Sequence, residues 1–308
     1  MKNIQLTLFI CSMLSIIPAI SGTSIKKIYH TVVGTPYHQK IYKHEYALQN
    51  QEKLHLINDY GSITIKTNWN HKKILLTCTV QSVDQEKINT VKIAEKQTET
   101  LMALKITCPH DQPDVTIDCE VIIPADIMLD IMAHEGTIDI KQATKATTAC
   151  IDSGNIIIYK SEAPIVAQIT HKGSITIEHS LEHVKANTKK GDITIRDAHM
   201  TIIAHTDKGN IAVQSYDVPS TATVNLTTAR GSISMAVPRS VNAEMQAHTN
   251  KGLITCEPII TLRPFSTRIT KHTFDRLKRE IEGTLGSGEA QIFLSSGRGN
   301  IAITETKA

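Results

Sequence analysis

Aromatic residues are nearly missing from this chain. One Trp, seven Tyr and four Phe make up 4% of its 308 residues. That leaves few rings to line a sugar groove. Excess charge is missing too: 33 Lys and Arg stand against 30 Asp and Glu, a net +3, which is too little to indicate a nucleic-acid partner. The six cysteines include no CxxC pair, so neither a zinc knuckle nor a thioredoxin-type site is indicated. After the first twenty residues no apolar run is long enough to cross a bilayer as a helix.

What is present at the N-terminus reads as a secretory leader. Lys2 precedes an apolar stretch over residues 4–17, Pro18 breaks it, and Ala19-Ile20-Ser21 supplies small residues for cleavage before Gly22. Cys11 follows Leu8-Phe9-Ile10, without the small residues of a lipoprotein cleavage box. Residues 1–21 are therefore expected to be a signal peptide without a lipid anchor, and the protein to be exported to the periplasm, the cell surface or the medium.

The dominant signal is a repeat: Gly, a small or polar residue, Ile, any residue, then Ile or Val. It appears as GSITI (61–65), GTIDI (136–140), GNIII (154–158), GSITI (173–177), GDITI (191–195) and GNIAV (209–213). It continues as GSISM (231–235), GLITC (252–256) and GNIAI (299–303). From Gly136 to Gly209 the glycines recur every 18 or 19 residues, and a fixed period of about 20 is a solenoid signature. Upstream of each glycine, residues two apart form a second set: Val184, Ala186, Thr188; Ile202, Ala204, Thr206; Val224, Leu226, Thr228; Met245, Ala247, Thr249; Ile292, Leu294, Ser296. Spacing by two puts each set on one face of a strand. Each repeat is thus strand, glycine turn, strand, and stacking the repeats buries their apolar faces. Asn155, Asp192, Asn210 and Asn300 beside the glycines suit the turn. The predicted class is all-β: a parallel, β-helix-like β-solenoid with coils of about 18–22 residues. The competing architecture is a β-sandwich.

Residues 22–45 form a weakly specified lead-in. Residues 46–124 contain less regular strands at 53–57, 61–67, 73–80, 87–94, 101–108 and 115–123, expected to cap the stack and shield its end. The division is leader 1–21, lead-in and cap 22–124, and repeat array 125–308 with an insert at 261–282. In the insert Phe274, Leu277 and Ile281 are at helical spacing, flanked by Lys271, Arg276, Lys278 and Arg279. The segment fits either a short amphipathic helix or an excursion between coils.

Four segments carry a resemblance: LHLINDYGSITI (54–65), VIIPADIMLDIMAHEGTIDI (121–140), the G-x-I-x-I ladder, and GTLGSGEAQIFLSSGRGNIAI (283–303). In this order the chain resembles the bacterial "putative adhesin" family of β-strand repeats, otherwise described as of unknown function. The resemblance implies an exported, repetitive β fold and an adhesin label given by analogy. It brings no catalytic residues.

The carboxylates Asp139, Asp152, Glu178, Asp207 and Glu257 fall at different repeat positions, so they do not stack into the pairs that glycoside cleavage uses. Glu178 instead shares its repeat position with Arg196, which predicts a surface ion pair. Glu178-His179 and Glu182-His183 place two histidines four apart, a metal spacing on a helix, but here in a turn. Of Cys78, Cys108, Cys119, Cys150 and Cys256, Cys108 and Cys119 flank an expected hairpin loop, but a turn at 109–114 would set Cys119 opposite Leu104 rather than Cys108; buried free thiols are the preferred reading. One position stands out. The residue before the repeat glycine is basic in six copies: Lys172, Lys190, Lys208, Arg230, Lys251 and Arg298. In a stack they form a cationic strip for an anionic glycan or membrane headgroups, or else a solvated turn that deters aggregation. The expected function is non-catalytic, adhesin-like binding without cofactor or nucleic acid. A structural or self-associating envelope protein is the alternative, and a glycan-active β-helix enzyme the third.

Overall fold

A computed structural model of the chain describes residues 38–108, 114–263 and 278–306. The expected leader and most of the 261–282 insert lie outside the described residues. What is described is all-β, with one helical turn.

In chain order the first elements are β1 (His38–Ala47), β2 (Lys53–Tyr60), β3 (Ile63–Trp69), β4 (Lys73–Ser82), α1 (Gln85–Ile88), β5 (Lys92–Gln97), β6 (Leu101–Thr107) and β7 (Val115–Pro124). Two long strands, β8 (Met128–Ile140) and β9 (Thr147–Ser161), each run through a repeat glycine. Then come β10 (Ile165–Lys172), β11 (Ile175–Ser180), β12 (Val184–Lys190), β13 (Ile193–Ala198), β14 (Ile202–Lys208) and β15 (Ile211–Gln214). They are followed by β16 (Thr223–Arg230), β17 (Ile233–Val237), β18 (Ala243–Thr249) and β19 (Ile254–Cys256). The chain continues with β20 (Ile260–Leu262), β21 (Glu280–Leu285), β22 (Ala290–Ser296) and β23 (Ile301–Glu305).

The strands fall into two parallel columns, one on each side of the glycine turns. Upstream strands pair with upstream strands: β10 with β12, β12 with β14, and β14 with β16. Downstream strands do the same through β11, β13, β15 and β17. The register is repeat on repeat, so Val184, Ala186 and Thr188 face Ile202, Ala204 and Thr206. These side chains are buried, as are Ile175, Ile177, Ile193, Ile195, Ile211 and Val213 of the opposite wall. β-Branched side chains suit such a pleated surface with one buried face.

The glycines line one edge. Gly191 has φ +142°, and a Cβ there would sit 1.8 Å from the carbonyl oxygen of Gly173. The same clash, against the neighbouring glycine, recurs at Gly154, Gly173, Gly209 and Gly231. Gly191→Ala combines a left-handed backbone with an overlap against main chain, so a loss of about 3 kcal/mol or more is expected. Urea unfolding tests it, and an unchanged midpoint would mean that the turn can reshape.

Coil order departs from chain order at both ends. β2 lies between β6 and β8, and β3 between β7 and β8. At the other end β22 lies between β16 and β18, and β23 between β17 and β19. The repeat at 290–303 is therefore inserted between two coils that precede it in sequence. Antiparallel strands finish both ends: β5 on β6, β4 on β7 and β1 on β4, then β21 on β18 and β20 on β21.

Several expectations need correction. Residues 101–108 and 115–123 do not flank a hairpin; β6 and β7 occupy different columns, like the two halves of any other repeat. Cys119 therefore stands opposite Cys78 of β4, not opposite Leu104. The strand expected at 87–94 is split, because the Asp84 side chain accepts from the Glu86 amide and starts α1. The lead-in yields a ten-residue strand, β1. Ile281 of the insert lies in β21.

Candidate binding surface

Lys172, Lys190, Lys208 and Arg230 end the upstream strands β10, β12, β14 and β16, and Arg298 and Lys251 lie two residues past the ends of β22 and β18. The next glycine amide then fixes the row. Gly173 donates to the Lys190 carbonyl at 2.8 Å, Gly191 to Lys208 at 2.8 Å, and Gly209 to Arg230 at 2.9 Å. Gly231 donates to Arg298 and Gly299 to Lys251, each at 2.9 Å. The backbone thus sets the order Lys172, Lys190, Lys208, Arg230, Arg298, Lys251. The inserted repeat puts Arg298 fifth, not last. At about 4.8 Å per rung the six span roughly 24 Å.

All six side chains are exposed. Among the described residues none takes part in an ion pair or a side-chain hydrogen bond. The row continues in the other direction without charge of the same sign: Lys172 is in register with Ser153, Ser153 with Glu135, and Glu135 with Tyr60. The cationic character thus belongs to one half of the stack.

Acidic groups near the row are already engaged. The Asp192 carboxylate accepts from the Asn210 amide at 2.7 Å, and Asp207 lies 3.3 Å from the His205 ring. Asp152 takes the Thr170 hydroxyl at 2.6 Å and the His134 ring at 2.7 Å. The Thr170 hydrogen bond, helped by His134, holds that carboxyl below the usual range despite partial burial.

A second ladder sits just inside the row, where the sequence showed only a preference for Thr or Ser. The Thr188 hydroxyl donates to the carbonyl of Gly173, Thr206 to Gly191, Thr228 to Gly209, Ser296 to Gly231 and Thr249 to Gly299. A buried hydroxyl and an outward-bent carbonyl satisfy each other across coils. The recurrence of Thr or Ser three residues before the glycine in the copies from Gly173 onward was the available signal.

Elsewhere the chemistry is that of a solvated surface. Arg196 meets Glu178 at 2.6 Å, the ion pair expected from the repeat. His179, expected in a turn, lies near the end of β11 with φ +56° and contacts Asp197 at 2.6 Å rather than His183. No group of three or more metal-ligating side chains forms among the described residues. Asp139, Asp152, Glu178, Asp207 and Glu257 come together in no carboxylate pair among them. No helix in the described residues is long and apolar enough to cross a membrane.

Comparison with known proteins adds a family. The Toastrack (DUF4097) profile matches residues 24–304. No curated protein matches the sequence. Among solved structures, a "putative cell adhesion protein" of Clostridium sporogenes is 12% identical, covers 87% of this chain and all of its own, and has a TM-score of 0.31. A "putative lipid binding protein" of Parabacteroides distasonis is 10% identical over 87% of this chain and 97% of its own, with a TM-score of 0.34. A "putative adhesin" of Bacteroides fragilis is 11% identical over 86% and 97%, with a TM-score of 0.28.

Proposed function

We propose, since the chain belongs to the Toastrack family, that it is an exported, non-catalytic, adhesin-like protein that binds a polyanion, such as an acidic glycan, along its basic row. In this reading residues 1–21 direct export, and the two columns form a parallel solenoid with coils of about 18–22 residues. The solenoid serves as a stiff rail. The observation that carries the proposal is the row itself: six exposed cationic side chains without partners among the described residues, held in one line by the glycine amides. A row of like charges repels itself modestly in water, and a linear anion relieves that repulsion. Self-assembly through the ends fits less well, because antiparallel strands at both ends interrupt the parallel register.

Dextran sulfate and vesicles of phosphatidylglycerol separate the glycan from the headgroup source of the anion. The full chain is expected to bind dextran sulfate at 0.1 M salt. Lys190→Glu with Lys208→Glu changes four charge units, each worth about 1 kcal/mol near an anionic surface, so affinity should fall roughly 10²–10³-fold. Lys43→Glu with Lys96→Glu, exposed on the cap, should change it little; Lys53 is no control, because it pairs with Asp130 at 2.7 Å. At 1 M salt, where the Debye length is about 3 Å, most binding should vanish. Equal affinity of the row variant and wild type, or indifference to salt, removes the row as the contact surface. Binding to vesicles alone would reassign the partner to headgroups.

A further inference from the structure

We infer that Cys78 and Cys119 close a disulfide that staples the N-terminal cap to the stack. The two lie on β4 and β7, which run antiparallel with Cys78 directly opposite Cys119. The Cys119 amide donates to the Ser62 carbonyl on the other side, at 2.7 Å. The backbone polar groups of Cys119 thus face β3, and across β4 and β7 the two cysteines form a non-hydrogen-bonded pair. In such pairs opposite Cα atoms approach to about 4.5 Å and side chains are closest, inside the window of about 4.4–6.8 Å that a disulfide spans. The Sγ atoms are 3.0 Å apart, about 1 Å beyond a bond of ~2.05 Å. Closure needs small side-chain rotations and no backbone rearrangement.

The other cysteines have different neighbours. Cys150 is in register with Met132 and Gln168, and Cys256 with Ile303. Cys108 lies just past β6, in the other column. The pairing is therefore singled out by topology.

The step is ordinary thiol–disulfide exchange. One thiolate attacks an incoming disulfide oxidant and releases one thiol; the second thiolate displaces the other half. Two protons and two electrons leave the cysteines, and the oxidant becomes two thiols. In the folded protein Cys78 and Cys119 are buried. The Cys78 contact, and then burial, drive the Cys119 thiol well above its usual range, so the attacking thiolate is scarce. The bond accordingly forms while the cap is still open and is shielded afterwards. It encloses α1, β5 and β6 and fixes β4, which carries β1 on its far edge. The export reading matters only for where the oxidant comes from.

The full chain, reduced and unfolded, is refolded in a glutathione buffer dominated by the oxidised form. It is then denatured, treated with N-ethylmaleimide and digested. The expected product links the Cys78 and Cys119 peptides, with Cys150 and Cys256 labelled. For a loop of this length the oxidised protein should melt roughly 5–15 °C above the reduced one, and Cys78→Ala should abolish the difference. Recovery of Cys78 and Cys119 both labelled, or either joined to another cysteine, overturns the inference. The peptide map stands even if the variant fails to fold, and because refolding is done in vitro it is independent of the fate of the export proposal.

Discussion

Ile193→Asp is expected to unfold the array, with a loss of about 5 kcal/mol or more, while Thr194→Asp leaves the melting curve nearly unchanged. Ile193 is fully buried and lies between Ile175 and Ile211 of the adjoining coils. A carboxylate there has no cation and no donor in reach. It either stays charged in an apolar column or takes up a proton, and both cost several kcal/mol. Thr194 points the other way and is only partly buried. The damage should spread, because a coil in a stack supports both neighbours. Urea titration of the two variants is the measurement. Equal effects at 193 and 194 would mean that the inward register is wrong.

A chain cut after Leu285 should suffer a comparable loss for a different reason. If the repeat at 290–303 were an end coil, its removal would merely shorten the stack. It is an interior coil, so its loss separates β16 from β18 and β17 from β19. The buried rungs Leu226 and Met235 on one side, and Met245 and Ala247 on the other, lose their neighbours. Several kcal/mol should go. Amide exchange should show residues 243–256 losing protection with the deleted part, while β10–β13 keep theirs. Retained protection at 243–256 would mean that β18 slides onto β16 and that the inserted order is dispensable.

These two variants mark what the sequence reveals and what it conceals. The inward register was legible because the side-chain period of two repeats in every copy: Val184, Ala186 and Thr188 are read against Ile202, Ala204 and Thr206, and error in one copy is corrected by the next. The glycine edge was legible because a position that tolerates no Cβ leaves an unbroken mark. The coil order was not. The upstream set Ile292, Leu294, Ser296 has the same pattern as Met245, Ala247, Thr249, so either could follow Val224, Leu226, Thr228. The choice is made by docking, with β21 taking the outer edge of β18. The cap was expected and its strand at 73–80 appears as β4, but its pairing was hidden for a related reason. β4 and β1 lie outside the repeat, and their antiparallel pairing has no periodic signature, so the Cys78–Cys119 juxtaposition could not be read. In the basic row the members were legible but their order was not, since Arg298 takes its place from the inserted coil.

The insertion also sets a schedule. In a chain that emerges N-terminus first, residue 256 comes well before residue 303, so the β18–β19 coil is available while the place between it and β17 is still empty. Folding from the N-terminus can run coil by coil through β17 and must then wait. β22 and β23 then enter last, pairing on both faces at once. Contacts between segments so far apart in sequence form slowly. In that order the last repeat closes a gap between two earlier coils rather than extending the end of the stack, and a chain interrupted before residue 290 lacks the piece that fills it.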